Sequence, residues 1–345
     1  MKNIKIIFLI IVNTGILFIL VNLIIFFFNN KIIIEKYFNR SHLSKLPVSY
    51  LVYYFNTNDK SFKNYTAIMG DSHVVGAGTS DPKFNNYTIG YFLKKLNPNK
   101  NYITFGWPGG GSISILKLFE MSRDSLVYGR IKEDPKKIMY IFNESNDLTD
   151  DYNHKYLNIT DYAFTKKEYI KQLLPVLYFI YLTFHNRDYK YSKEIKNTIL
   201  FKDKKIDITN KGRLDIPEIS GDRLNKAYNI LYDNLNKIKK RTDVIYFVFL
   251  PSPATLYEFK DPLQSISYSN KSAIKITKRD HEIYHQEVKK KLQILCKKLD
   301  IKFIDLTHEM KIMSKVTLIN GPEDFGHYNV QGNEFIAKII NSKLN

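Results

Sequence analysis

Four short stretches carry side chains whose type and spacing suit acyl transfer to and from a serine. The first is Gly70-Asp71-Ser72, which follows the apolar run Tyr65 to Met69. A sharp turn at the end of a strand exposes a serine hydroxyl where α/β sheets bind ligands. Alone, the tripeptide reads equally well as a plain turn, since Asp and Ser are common turn residues. The second is Asp324 to His327 near the C-terminus. An aspartate three residues before a histidine can accept from the imidazole Nδ1–H, which fixes the tautomer and leaves Nε2 as a base. The third is Gly106, followed by Trp107-Pro108 and the triplet Gly109-Gly110-Gly111. Glycines after a strand permit positive φ and close backbone approach, so an N–H there could face a ligand. The fourth is Asn143-Glu144-Ser145-Asn146-Asp147, where Asn146 could donate its side-chain N–H to an oxyanion or simply cap a helix.

Elements that could hold these residues alternate along the chain. Strand candidates fall at 65–69, 102–105, 137–142, 243–250 and 301–305. Helical spacing runs from Asn86 to Leu96 and again over 222–240 through Leu224, Ala227, Tyr228, Leu231, Leu235 and Ile238. It returns over 281–299 through Ile283, Val288, Leu292, Leu295 and Leu299, and a last helix is expected at Asn333 to Ser342. Such alternation argues for a doubly wound, mostly parallel sheet. There is no Gly-x-x-x-x-Gly-Lys-Ser/Thr and no Gly-x-Gly-x-x-Gly, so a phosphate-cradling loop is not indicated.

In their order and context the four stretches together resemble the SGNH (GDSL-type) hydrolase superfamily, over about residues 65 to 343. Gly70-Asp71-Ser72 matches its block I, Gly106 its block II glycine, Glu144-Ser145-Asn146-Asp147 its block III, and Asp324 to His327 its block V, with Asn329 and Gly332 trailing as they do there. Thr104 stands where block II usually has Asn, and Glu144 where block III usually has Gly. The resemblance implies a three-layer α/β/α sandwich of flavodoxin-like type. It implies Ser72 as nucleophile, His327 as base and Asp324 as its orienting acid. The backbone N–H groups of Ser72 and Gly106 and the Asn146 side chain would form the oxyanion hole. It implies no metal and no organic cofactor. His73, next to the nucleophile, does not read as the base, because adjacent side chains on an extended stretch point apart; it reads as a plain exposed histidine, or a pocket-lining one.

Composition sets bounds around this site. The chain has 345 residues, 44% hydrophobic and 25% charged, an ordinary globular balance. The single cysteine, Cys296, excludes an intrachain disulfide framework and a cysteine-based zinc site. The net charge of +18 comes mostly from lysines spread along the chain beside many Asn, Ile, Tyr and Phe, the bias of an AT-rich genome. No nucleic-acid partner is therefore expected.

Residues 1–30 read as a short cytoplasmic stub and a transmembrane anchor, 31–60 as a juxtamembrane linker, and 61–345 as the hydrolase-like domain with an insertion at about 151–220. Ile6 to Phe28 is apolar save for Asn13, Thr14, Gly15 and Asn22. As a helix it is about 34 Å long, enough to cross a bilayer core of about 30 Å. No small-residue cleavage site follows. The expectation is a single-pass protein of a bacterial cell membrane with its domain outside the cytoplasm. Within the insertion, Tyr169 to Phe184 reads as a core or cap helix, in preference to a membrane-surface helix, and Asp188 to Arg213 as a polar loop.

Val244 to Leu250 with Pro251-Ser252-Pro253-Ala254-Thr255-Leu256-Tyr257 is similar to a segment of anchored SGNH proteins of bacterial polysaccharide O-acylation. That likeness implies an acylated, for example acetylated, cell-envelope glycan as substrate. Transfer to polysaccharide through the same triad, a lipid esterase and an inactive carbohydrate-binding module are the alternatives.

Overall fold

The computed structural model describes residues 12–21, 63–76, 87–124, 131, 133–157, 195–210, 218–266, 273–321 and 325–344. In chain order the elements are β1 (Tyr65–Gly70), α1 (Ile89–Leu96), β2 (Asn101–Gly106), α2 (Ser112–Asp124), β3 (Lys137–Asn143), α3 (Asp147–Tyr152), β4 (Ile195–Phe201), β5 (Lys204–Asn210), α4 (Gly221–Lys239), β6 (Ile245–Leu250), α5 (Pro253–Leu256), β7 (Glu258–Phe259), β8 (Leu263–Ile266), β9 (Ala273–Ile276), α6 (Lys278–Lys298), β10 (Lys302–Asp305), α7 (Thr307–Val316) and α8 (Val330–Leu344).

Five strands make one sheet in the order β10-β6-β3-β1-β2, and every pair is parallel. Successive side chains on a strand face opposite ways. In β1, Tyr65, Ala67 and Met69 therefore enter one core, where α2, α4 and α6 supply Phe119, Leu231 and Leu292. Ile68 enters the other, where α1, α7 and α8 supply Phe92, Met310 and Ile336. Both faces are covered, as a parallel sheet requires, and the result is three layers. Thr88 caps α1 by accepting from Tyr91 N–H at 3.0 Å, and Thr277 caps α6 by accepting from Asp280 N–H at 3.1 Å. Each such cap contributes about 1 kcal/mol.

The chain runs outward from β1 to β2, then returns to the far side of β1 with β3. The reversal lies between β1 and β3, whose carboxyl ends are Gly70 and Asn143. A switch in strand order opens a crevice at that end of the sheet. Ser72 and Asn146 both stand beside it.

The expected loop from Asp188 to Arg213 is corrected over 195–210, where β4 and β5 form an antiparallel hairpin. Its two-residue turn puts both Lys202 (φ 49°) and Asp203 (φ 60°) in the left-handed region, the geometry that matches strand twist. Neither residue is a glycine, so the turn gave no composition signal. β7 pairs onto β4, and Ile199, Ile208, Phe259 and Leu263 join the second core. Asn197 clamps the backbone of Gln264, donating to its C=O and accepting from its N–H, each at 3.0 Å. The proposed helix from Tyr169 to Phe184 lies outside the described residues.

Residues 12–21 are helical, with Ile16, Leu17 and Ile19 exposed. Among the described residues no helix is long and apolar enough to cross a membrane. The flanks of the apolar run, and the linker at 31–60, lie outside them.

Candidate active site

The turn that carries Ser72 folds back tightly over the sheet. A Cβ at Gly70 would lie 2.3 Å from Val74 Cγ2 and 2.8 Å from the Ile141 carbonyl oxygen. A glycine is thus required where β1 ends. Asp71, fully buried, holds the turn: its carboxylate accepts from His73 N–H at 3.0 Å and from Asn146 Nδ2 at 2.9 Å. Ser72 Oγ stands 2.7 Å from His327 Nε2 and 3.3 Å from Asp71 Oδ2. The shorter contact sets the hydroxyl for proton transfer to the imidazole.

His327 reaches Ser72 across 255 residues of sequence, so its loop must be fixed independently. Tyr328 is buried and donates its hydroxyl to the Pro251 carbonyl. Asn329 donates its N–H to Ile319 O at 2.9 Å and its side chain to Leu318 O at 2.8 Å, while its Oδ1 accepts from Gly332 N–H at 3.0 Å. A Cβ at Gly332 would sit 2.3 Å from Ile319 O. Asn329 and Gly332 therefore lock the histidine loop to the strand-like 318–320 segment and start α8. Asp324 lies outside the described residues.

Asn146 stands two bonds from Ser72 in this network. Its Nδ2 donates to Asp71 Oδ2 and, at 3.0 Å, to Asp150 Oδ2. Two carboxylates around one amide nitrogen fix which way the amide points. Both amide hydrogens are engaged, so binding an oxyanion would draw one of them away from its carboxylate.

Gly106 departs from its expected part as a donor. Trp107 N–H bonds Gly70 O at 3.1 Å, across the β1–β2 pair. N–H groups alternate sides along a strand, so the Gly106 N–H points away from β1 and from Ser72. What Gly106 supplies is room: a Cβ there would lie 2.2 Å from Val75 Cγ1 in the nucleophile turn. In the loop beyond, Gly110 N–H bonds Trp107 O at 3.0 Å, and Gly109 is exposed with φ +68°.

Sequence reasoning missed two sets of residues. His73 is buried, 2% exposed, not a surface histidine. Its ring lies against that of His327, centroids 4.8 Å apart. The second set surrounds Glu144, fully buried although a glycine is usual there in the resembling family. Glu144 accepts from Ser252 N–H (2.8 Å) and Thr255 Oγ1 (2.7 Å), and its Oε1 meets His285 Nδ1 at 2.6 Å. His281 Nε2 lies 2.9 Å from Thr255 Oγ1. Burial opposes the Glu144 charge, but the bond to His285, the nearby His281 and Ser252 N–H outweigh it and hold this carboxyl below its ordinary range. The exchange of Gly for Glu was the signal that could have found this cluster.

An acidic group packs below Asn146. Burial pushes Asp151 up to about 7, against hydrogen bonds from Ser112 Oγ (2.7 Å) and Ile113 N–H (3.1 Å) that tie it to the start of α2. Burial and the charges of Asp71, Asp150 and Asp151 drive Asp147 well above the carboxylate range. Among the described residues no group of three or more His, Cys, Asp or Glu is arranged to hold a metal ion.

No family model and no curated protein matches the chain. Solved structures similar in fold include a lipase/acylhydrolase from Enterococcus faecalis, at 11% identity over 81% of this chain and 95% of that one, with TM-score 0.39. An extracellular lipase from Streptomyces rimosus matches at 11% identity over 81% and 98%, with TM-score 0.41. A family 2 carbohydrate esterase with a carbohydrate-binding domain from Corynascus thermopiles matches at 14% identity over 82% and 67%, with TM-score 0.40. Likeness at this level concerns the path of the chain and carries no argument about its chemistry.

Proposed function

We propose that the protein is a serine esterase acting on acyl esters, acetyl above all, of cell-envelope glycan. The observation that carries this reading is the 2.7 Å contact between Ser72 Oγ and His327 Nε2 at the switch point of a parallel sheet. In the first step His327 Nε2 takes the Ser72 proton as Oγ bonds to the ester carbonyl carbon. The tetrahedral intermediate collapses, the C–O bond to the alcohol breaks, and His327 returns the proton to that alcohol. An acyl-serine remains. Water, deprotonated by His327, then releases the acid and restores Ser72. Asp324 is the assigned partner of His327 in this scheme.

The oxyanion would be held by Ser72 N–H and the Asn146 side chain, with Gly109 N–H in place of Gly106. Each such donor is worth about 2.7–4 kcal/mol in comparable sites. No step calls on a metal or an organic cofactor. The glycan assignment rests on the segment from Val244 to Tyr257, and transfer to a sugar hydroxyl differs only in which nucleophile meets the acyl-serine. The test is the purified full-length chain with a chromogenic acetyl ester, with and without sugar acceptors. Acid release that continues without acceptor supports hydrolysis. Acylated sugar with little acid makes the protein a transferase. A folded chain that neither releases acid nor acylates a sugar sinks the reading.

The apolar run from Ile6 to Phe28 is assigned as a single membrane anchor with the domain outside the cytoplasm. Its length in sequence and the exposed apolar side chains of the 12–21 helix support this. Full-length chain should stay in the membrane through alkaline washing, and protease added to spheroplasts should digest the domain. Release by the wash would refute a spanning helix, and full protection from protease would reverse the topology.

A further inference from the structure

We propose that His73 is a positioning residue for His327: a histidine kept neutral by Asn143 that holds the base's ring against Ser72 and offers it an uncharged aromatic face. The proposal rests on the esterase reading above. Three contacts carry it. The His73 and His327 rings lie 4.8 Å apart between centroids and 37° apart in plane. Tyr328 also meets the His73 ring, edge-on at 5.4 Å. Asn143 Nδ2 stands 2.8 Å from His73 Nε2.

The last contact fixes the protonation of His73. Asn143 Oδ1 accepts from Ser145 N–H at 2.8 Å, and also from the Ser145 hydroxyl. The amide nitrogen must therefore face the imidazole, and an amide nitrogen only donates. His73 Nε2 then carries a lone pair, its proton sits on Nδ1, and the ring is neutral. Asn143 is itself fixed: it ends β3, is fully buried, and gives its backbone N–H to Asp147 Oδ2 at 2.9 Å. The backbone N–H of His73 is held by Asp71 Oδ1. Among the described residues, those facing His73 include the Asp71 carboxylate at its backbone, Asn143 at Nε2, and the rings of His327 and Tyr328, with Asp147 behind Asn143.

His327 must gain and lose a positive charge twice in each turnover. A neutral π-face beside it tolerates that charge, whereas a second imidazolium would oppose it. A charged imidazolium has no lone pair with which to accept from Asn143 Nδ2, so this bond favours the neutral ring over the charged one. Position matters equally: misplacing a reacting group by 1 Å costs about 100-fold.

The experiment measures kcat and KM for a chromogenic acetyl ester across pH with full-length variants whose folding is checked by near-ultraviolet circular dichroism. His73→Leu should lower kcat about 10- to 100-fold with KM little changed. His73→Phe, which restores an uncharged ring, should recover most of that loss. Asn143→Leu should lose more activity near pH 6 than near pH 8, and adding His73→Phe to it should remove this extra acid loss. Parental kcat in His73→Leu, or equal impairment of the folded Leu and Phe variants, would overturn the proposal. If His73→Leu does not fold, Asn143→Leu decides: an acid limb coincident with the parent's overturns it, and an earlier one supports it. Turnover that survives Ser72→Ala would instead defeat the esterase reading itself.

Discussion

Ser72→Ala leaves a folded protein whose ester turnover falls by on the order of 10⁴-fold or more. Removing the hydroxyl deletes the proposed nucleophile and one contact of His327. It leaves the turn intact, because Asp71 gives up only its 3.3 Å contact with the serine hydroxyl and keeps those with His73 N–H and Asn146. Thermal stability should therefore stay within about 1 kcal/mol of the parent. An electrophilic serine reagent should label the parent once, at Ser72, and leave the variant unlabelled. The measurement is turnover of a chromogenic acetyl ester beside a melting curve and a mass map of the labelled site. Retained turnover in a well-folded variant would remove Ser72 from the chemistry, and with it the significance of the 2.7 Å contact to His327.

The sheet and its helices were legible because their signal is local. The five expected strands differ from β1, β2, β3, β6 and β10 by a residue or two at their ends, and the spacing of Leu224, Ala227, Tyr228 and Leu231 does describe the buried stripe of α4. The β4–β5 hairpin was not legible, since its turn uses Lys202 and Asp203 at positive φ where Asn-Gly would have announced it. Meeting of Ser72 and His327 was anticipated only through the resemblance, because nothing local links positions 255 residues apart. Gly106 was misread for a reason of direction: sequence gives a residue's place on a strand, whereas the side to which its N–H points depends on which neighbour, here Trp107, bonds β1. His73 was misread because the chain leaves the extended state at Gly70, so alternation no longer says where the next side chain goes.

Glu144→Ala should lower unfolding free energy by about 3–5 kcal/mol at neutral pH, the usual cost of removing one partner from a buried pair. Three groups lose their acceptor together: His285 Nδ1, Ser252 N–H and the Thr255 hydroxyl. These come from α6, from the end of β6 and from α5, so the carboxylate fastens three elements to the turn after β3. Its pH dependence has a definite sign. The folded carboxyl is held below its ordinary value of 4.5, so its stabilisation is present above that pH and fades as pH falls through the folded value. The gap between parent and Glu144→Ala in urea unfolding should thus be widest near neutrality and narrow in acid. Glu144→Gln, which keeps the volume and one acceptor oxygen, should cost less. The same turn carries Asn146 two residues on, and Asn146 holds Asp71 beside Ser72. Loss of Glu144 should therefore lower kcat even under conditions where the variant is fully folded. A gap below about 1 kcal/mol at neutral pH would mean that the cluster contributes no more than an exposed ion pair, and a parental kcat would mean that the turn keeps its shape without it.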